Sequence, residues 1–138
     1  VVHGGTYNAQ PIAMAATAAT LKSLTPELYK KVGAAGTALA EGFREIFASE
    51  GVAAQVVGFP QVFHVALGLT APARNYRDLA AMNKAAYVKL TTALVYRGVR
   101  ALERGAWFLS SEHDAGVIAE TLAAMRDAVR ELKAAGTL

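Results

Sequence analysis

Cysteine is absent from the 138 residues, which excludes disulfides and thiolate metal sites. Histidine is scarce: His3, His64 and His113 lie far apart and lack a His-x-x-x-His spacing. Charged residues make up 18%, against about 25% in a typical soluble domain. Lysine and arginine are scattered, so the net charge of +3 forms no basic stripe, and a nucleic-acid partner is not expected. No apolar run is long enough to span a membrane, because Lys22, Lys30 and Lys31 break the alanine-rich region, and no signal-peptide pattern is present. A reducing cytoplasm is compatible with this inventory and is the expected location. Internal repeats and low-complexity tracts are missing too.

What is abundant is apolar: 54% of residues, many of them alanine. A chain of this length fits one domain that buries about two-thirds of its unfolded surface. The low charge suggests that some apolar surface is meant for a partner. The first stretch, His3-Gly4-Gly5-Thr6-Tyr7-Asn8-Ala9-Gln10-Pro11, joins paired glycines, a hydroxyl and a proline suited to the first turn of a helix. Such a turn can seat a phosphate or carboxylate on free N–H groups. It can equally be a Gly-Gly turn before a capped helix, with Tyr7 packed beside the helix start.

Periodicity supplies the elements. Ile12–Leu24 reads as a helix with small residues on most faces. Thr25 can cap a second helix opened by Pro26. Its apolar face is Leu28, Val32, Ala35, Leu39, Phe43, Ile46 and Phe47, and Gly51 stops it. The period then shortens. Ala53–Val57 and Val62–Leu69 predict a hairpin turning at Gly58–Gln61, with Phe63, Val65 and Leu67 on one face and Val62, His64 and Ala66 on the other. Tyr76–Arg97 reads as one long helix. Val99–Leu102 and Ala106–Leu109 read as short strands, with Trp107 and Phe108 in the core. A last helix, capped by Ser111 or Asp114, runs to about Ala135. This order argues for an α+β fold, with helices on one face of a small, mainly antiparallel sheet.

Two stretches carry a resemblance. Gly4-Gly5-Thr6-Tyr7-Asn8-Ala9-Gln10-Pro11-Ile12-Ala13-Met14-Ala15-Ala16 resembles the Gly-Thr-x-x-x-x-Pro-x-x-x-Ala-Ala segment of class III pyridoxal-phosphate aminotransferases, with the glutamate-1-semialdehyde aminomutase branch nearest in character. Arg104-Gly105-Ala106-Trp107-Phe108-Leu109-Ser110-Ser111-Glu112-His113-Asp114 is similar to a second stretch of that family. The two matches occur in the right order and together span nearly the whole chain.

The resemblance implies the small C-terminal domain of a fold-type I enzyme, beginning after the cofactor lysine. Residues 1–24 would form the phosphate segment and a junction helix to an upstream large domain, and residues 25–138 the small domain. The absent initiator methionine also suggests a piece of a longer protein. Pyridoxal 5'-phosphate is the implied cofactor. Amino and oxo acids are the implied substrates, and a homodimer is the implied assembly. Thr6, preceded by Gly5, matches the threonine that binds the cofactor phosphate of the neighbouring subunit. Gln10 departs from the asparagine that many relatives carry before the proline. Arg104 matches a position where some relatives bind a substrate carboxylate, though it can also be an exposed turn arginine. Lys22, Lys30, Lys31, Lys84, Lys89 and Lys133 read as surface charges, none in the context of a cofactor lysine, so this chain alone is expected to be inactive. A non-catalytic interaction module is the alternative. The Ser110, Ser111 and His113 group lacks a nucleophile elbow and a placed acid, which argues against a hydrolase.

Overall fold

Proline opens both of the first two helices, because its fixed φ suits the first turn and its missing N–H costs nothing there. In the computed structural model, which describes residues 4–138, α1 covers Pro11–Ser23 and α2 covers Pro26–Ser49. His3 lies outside the described residues. The cap of α1 is Gln10, whose Oε1 accepts from the Ala13 N–H at 2.6 Å, so glutamine does the work expected of asparagine. Thr25 caps α2 through the Leu28 N–H. Seven residues of α2 are buried, from Val32 to Phe47, whereas none of α1 is.

The sheet follows the predicted hairpin. Strand β1 (Ala54–Phe59) pairs antiparallel with β2 (Val62–Leu67), and β2 pairs antiparallel with β3 (Ala106–Phe108). The hairpin turn can lie against α2 because Gly36 has no side chain: a Cβ there would sit 1.8 Å from the Pro60 carbonyl oxygen. The inner face of the sheet carries Val56, Phe63, Val65, Leu67 and Trp107, all buried.

Two expectations are corrected. The predicted helix Tyr76–Arg97 is two helices, α3 (Tyr76–Ala80) and α4 (Lys84–Val95). Asn83 ends the first unit by capping the second: its Oδ1 accepts from the Ala86 N–H at 3.0 Å, and its own N–H goes to the Leu67 carbonyl. A local side-chain acceptor and a strand carbonyl outcompete helical continuation. Val99–Leu102 forms no strand; it is a connection leading into the turn at Glu103–Gly105. The last helix, α5, covers Ala115–Ala134 and is capped by Asp114 rather than Ser111, with Val117 N–H donating to Asp114 Oδ1 at 3.0 Å.

Helices α2, α4 and α5 bury their apolar faces in one core with the inner face of the sheet. At its centre, the Phe43 ring meets Trp107 edge-on at 4.8 Å and Phe63 at 6.0 Å. Trp107 Nε1 donates to the Tyr87 hydroxyl at 2.9 Å, which satisfies the buried indole. The far end of α2 is tied to α5 by Glu50, whose carboxylate accepts from Arg130 Nε at 2.7 Å. Lys133 adds a bond to the Glu50 carbonyl.

Candidate functional site

The Gly5–Gln10 segment is a tight double turn. Asn8 N–H reaches the Gly5 carbonyl at 3.0 Å and Gln10 N–H reaches the Tyr7 carbonyl at 3.2 Å. Ala9 adopts φ +58°, a left-handed conformation that a non-glycine residue occupies at a cost of about 1 kcal/mol. Locking the turn in this way leads the chain directly into the Gln10 cap. Gly4 and Gly5 are exposed, as is Thr6, whose hydroxyl has no hydrogen-bond partner among the described residues. Tyr7 is 81% exposed, so it does not pack beside the helix start as expected.

Arg104 stands in the turn before β3, with its side chain at the surface. The turn itself is anchored. His64 Nε2 donates to the Arg104 carbonyl at 2.7 Å, and Val65 N–H donates to the Gly105 carbonyl at 2.9 Å. Gly105 adopts φ +94°, and a Cβ there would lie 2.3 Å from His64 Cε1. Only glycine lets the loop lie this close to β2. His64 is thus half-buried and hydrogen-bonded, while its Nδ1 is buried with no partner. Beside it a cleft of about 350 Å³ is lined by Tyr76, Leu79, Met82, Lys84 and Arg104, among others. Sequence reasoning named Arg104 and missed this cleft, because the break between α3 and α4 that shapes it has no proline or glycine to announce it.

Other candidates resolve without chemistry. Ser110 N–H donates to His113 Nδ1 at 2.9 Å, and Ser110 Oγ lies 3.0 Å from the same nitrogen, which closes a local turn ahead of α5. The six lysines are exposed, as expected. Among the described residues, no cluster of His, Asp or Glu could hold a metal ion, and no helix is long and apolar enough to cross a membrane. Phe108, expected in the core, is 61% exposed, because strand alternation turns it away from its buried neighbour Trp107.

No family model matches the chain. It is 34% identical over 141 residues to the glutamate-1-semialdehyde 2,1-aminomutase of Hyperthermus butylicus, covering 96% of this chain and 32% of that protein. It is 33% identical to the enzyme of the same name from Sorangium cellulosum, covering 94% of this chain and 30% of that one. Its fold superposes on an omega-transaminase from Sphaerobacter thermophilus with a TM-score of 0.88 at 27% identity, over 96% of this chain and 31% of that chain. The chain matches a C-terminal fragment of a class III aminotransferase.

A beta-phenylalanine aminotransferase from Variovorax paradoxus agrees, with a TM-score of 0.85 and 28% identity over 97% of this chain and 31% of that one. The chain therefore spans about a third of the length of the relatives it matches. The α+β layer of the chain is the one expected from its sequence. A further neighbour is a transaminase with pyridoxal phosphate bound, which supports that compound as the cofactor of the group.

Proposed function

We propose that the chain is the C-terminal part of a pyridoxal-phosphate-dependent class III aminotransferase that moves an amino group between an amino acid or amine and an oxo acid. The observation that carries this reading is the match over nearly the whole chain, in sequence at 34% identity and in fold at a TM-score of 0.88. The cofactor lysine would lie in an upstream large domain, so the fragment by itself would be inactive. Residues 1–24 would form the phosphate segment and junction helix, and residues 25–138 the small domain. The complete protein would work as a cytoplasmic homodimer.

When bound, pyridoxal phosphate supplies the electron sink for bond breaking at the substrate's amino carbon. The donor set at Gly5 and Thr6 suits its phosphate. An exposed hydroxyl in a locked, glycine-led turn offers an uncommitted donor, and a dianion rewards donors that are already positioned. In this reading Thr6 holds the phosphate of the neighbouring subunit, and Gly5 lets the backbone approach it. Arg104 binds a substrate carboxylate. Its guanidinium is at the surface while its backbone is pinned by His64, so the fork is presented from a fixed base.

A second reading, an aminomutase of the glutamate-1-semialdehyde type, is favoured by the names of the two curated relatives. The test uses the complete protein supplied with pyridoxal phosphate. Retained cofactor absorbance, and amino transfer that requires a separate oxo acid acceptor, support the aminotransferase. Conversion of glutamate 1-semialdehyde without an added acceptor selects the aminomutase. No cofactor retention overturns both and leaves a non-catalytic module.

A further inference from the structure

The turn that carries Arg104 is held to β2 in three ways. His64 Nε2 donates to the Arg104 carbonyl at 2.7 Å, Val65 N–H donates to the Gly105 carbonyl at 2.9 Å, and Ala106 pairs with His64 at the end of the ladder. Gly105 N–H closes the turn on the Leu102 carbonyl at 3.2 Å. The backbone ties do not depend on the side chain at position 64. The bond to the Arg104 carbonyl does, and it is the one that reaches the peptide group of the arginine itself.

For stability alone an imidazole is a poor choice here. Its Nδ1 is buried with no hydrogen-bond partner among the described residues, and a buried unpaired nitrogen costs free energy. The bond that Nε2 makes is to the carbonyl of an exposed turn, which water serves almost as well. A leucine of similar size would carry no orphaned nitrogen. What the ring secures is position. The Arg104 side chain is exposed and makes no ion pair among the described residues, so only its backbone is fixed. A guanidinium on a fixed backbone loses less freedom on closing around a carboxylate than one on a loose turn.

We propose that His64 is a positioning residue for substrate recognition: by holding the Arg104 peptide group it sets the affinity for the substrate carboxylate, without adding to the stability of the fold. The proposal rests on the reading that Arg104 binds that carboxylate. In this role His64 does not touch the substrate. Its effect is confined to ligands that Arg104 grips, so it acts on the choice between substrates and not on the chemical step.

The test uses the complete protein with pyridoxal phosphate and two variants. His64→Leu keeps the bulk and removes the donor, whereas His64→Gln keeps a donor within reach of the same carbonyl. For His64→Leu we expect KM for a dicarboxylate substrate to rise about tenfold, with kcat little changed and KM for an amine lacking that carboxylate within about twofold of the unaltered protein. Its melting temperature should equal or exceed that of the unaltered protein, and His64→Gln should restore most of the carboxylate affinity. Equal KM effects on both substrates, or none on either, overturn the proposal. So does a His64→Gln that behaves like His64→Leu, because the donated bond would then be irrelevant. A melting temperature lower by more than about 5 °C, or failure of His64→Leu to fold, marks a structural residue and overturns it too. Arg104→Gln is measured alongside. If it raises the dicarboxylate KM and His64→Leu does not, His64 alone loses its role; if neither does, the Arg104 reading fails and takes the proposal with it.

Discussion

His64 Nε2 donates to the Arg104 carbonyl oxygen at 2.7 Å, so a histidine of the central strand holds the turn that displays the arginine. Nε2 carries the proton of this bond, because a carbonyl oxygen only accepts. The same turn lies so close to β2 that position 105 has no room for a Cβ.

Gly105→Ala is therefore expected to destabilise the protein by about 3 kcal/mol, through a positive φ and a clash with the His64 ring and the Val65 carbonyl. Chemical denaturation measures it. A loss below about 0.5 kcal/mol would mean that the turn relaxes away from β2 without cost.

Two glycines of α2 should respond in opposite senses. Glycine to alanine inside a helix ordinarily stabilises by about 1 kcal/mol. At Gly33 the new methyl would meet only the flexible end of Gln61, at 3.3 Å, so Gly33→Ala should be neutral or stabilising. At Gly36 it would meet the Pro60 backbone, so Gly36→Ala should cost about 2 kcal/mol by displacing the hairpin. Melting temperatures of the two variants in parallel decide this, and equal shifts would count against the packing.

Burial pushes the Tyr87 hydroxyl up to about 12, and the hydrogen bond from Trp107 only partly opposes this. A group whose folded pKa exceeds its unfolded value lends stability that is complete below pH 10 and lost as pH rises toward 12. The loss is on the order of 2–3 kcal/mol. Tyr87→Phe should abolish that alkaline dependence. At neutral pH it should cost about 1–3 kcal/mol, because the Trp107 N–H is left unpaired. Denaturation followed from pH 8 to 11.5 shows whether the slope vanishes.

Glu50 behaves in the opposite sense. The hydrogen bond from Arg130, aided by that from Lys133, holds its carboxyl below the usual range. Its contribution is present above the unfolded pKa and fades as pH falls through the folded one. Glu50→Gln should flatten the acid limb of the stability profile while leaving the alkaline limb unchanged.

The proposed ligand contacts have their own signatures. Thr6→Ala in the complete protein should weaken retention of pyridoxal phosphate by about tenfold, the loss of one charge-assisted hydrogen bond. Dialysis against cofactor-free buffer measures this, and unchanged retention removes Thr6 from the phosphate site. Arg104→Gln should raise KM for a dicarboxylate substrate with little change for an amine lacking the second carboxylate. Equal effects on both would return Arg104 to the role of a surface residue.

Local signals decided most of the architecture. Thr25-Pro26 marked one helix start, Asp114 marked another, and the alternation around Val62–Leu67 marked the central strand. Each works through contacts within a few residues, which is why a linear reading finds them. The break at Ala81–Asn83 escaped because Asn83 leaves the helix to satisfy a carbonyl of β2, a partner distant in sequence. Val99–Leu102 has strand-like residues but no strand pairing to complete it.

The sequence by itself determined the starts of α1, α2 and α5, the hairpin, the α+β class and the two stretches that resemble class III aminotransferases, because propensity, capping and period are local properties. Only the tertiary structure decided that Phe108 faces outward in register with Val62 and Phe59, that Gly36 and Gly105 are points of contact between elements, and that His64 pins the Arg104 turn. Those outcomes depend on which elements meet, and burial and close approach come into being only when the layers pack.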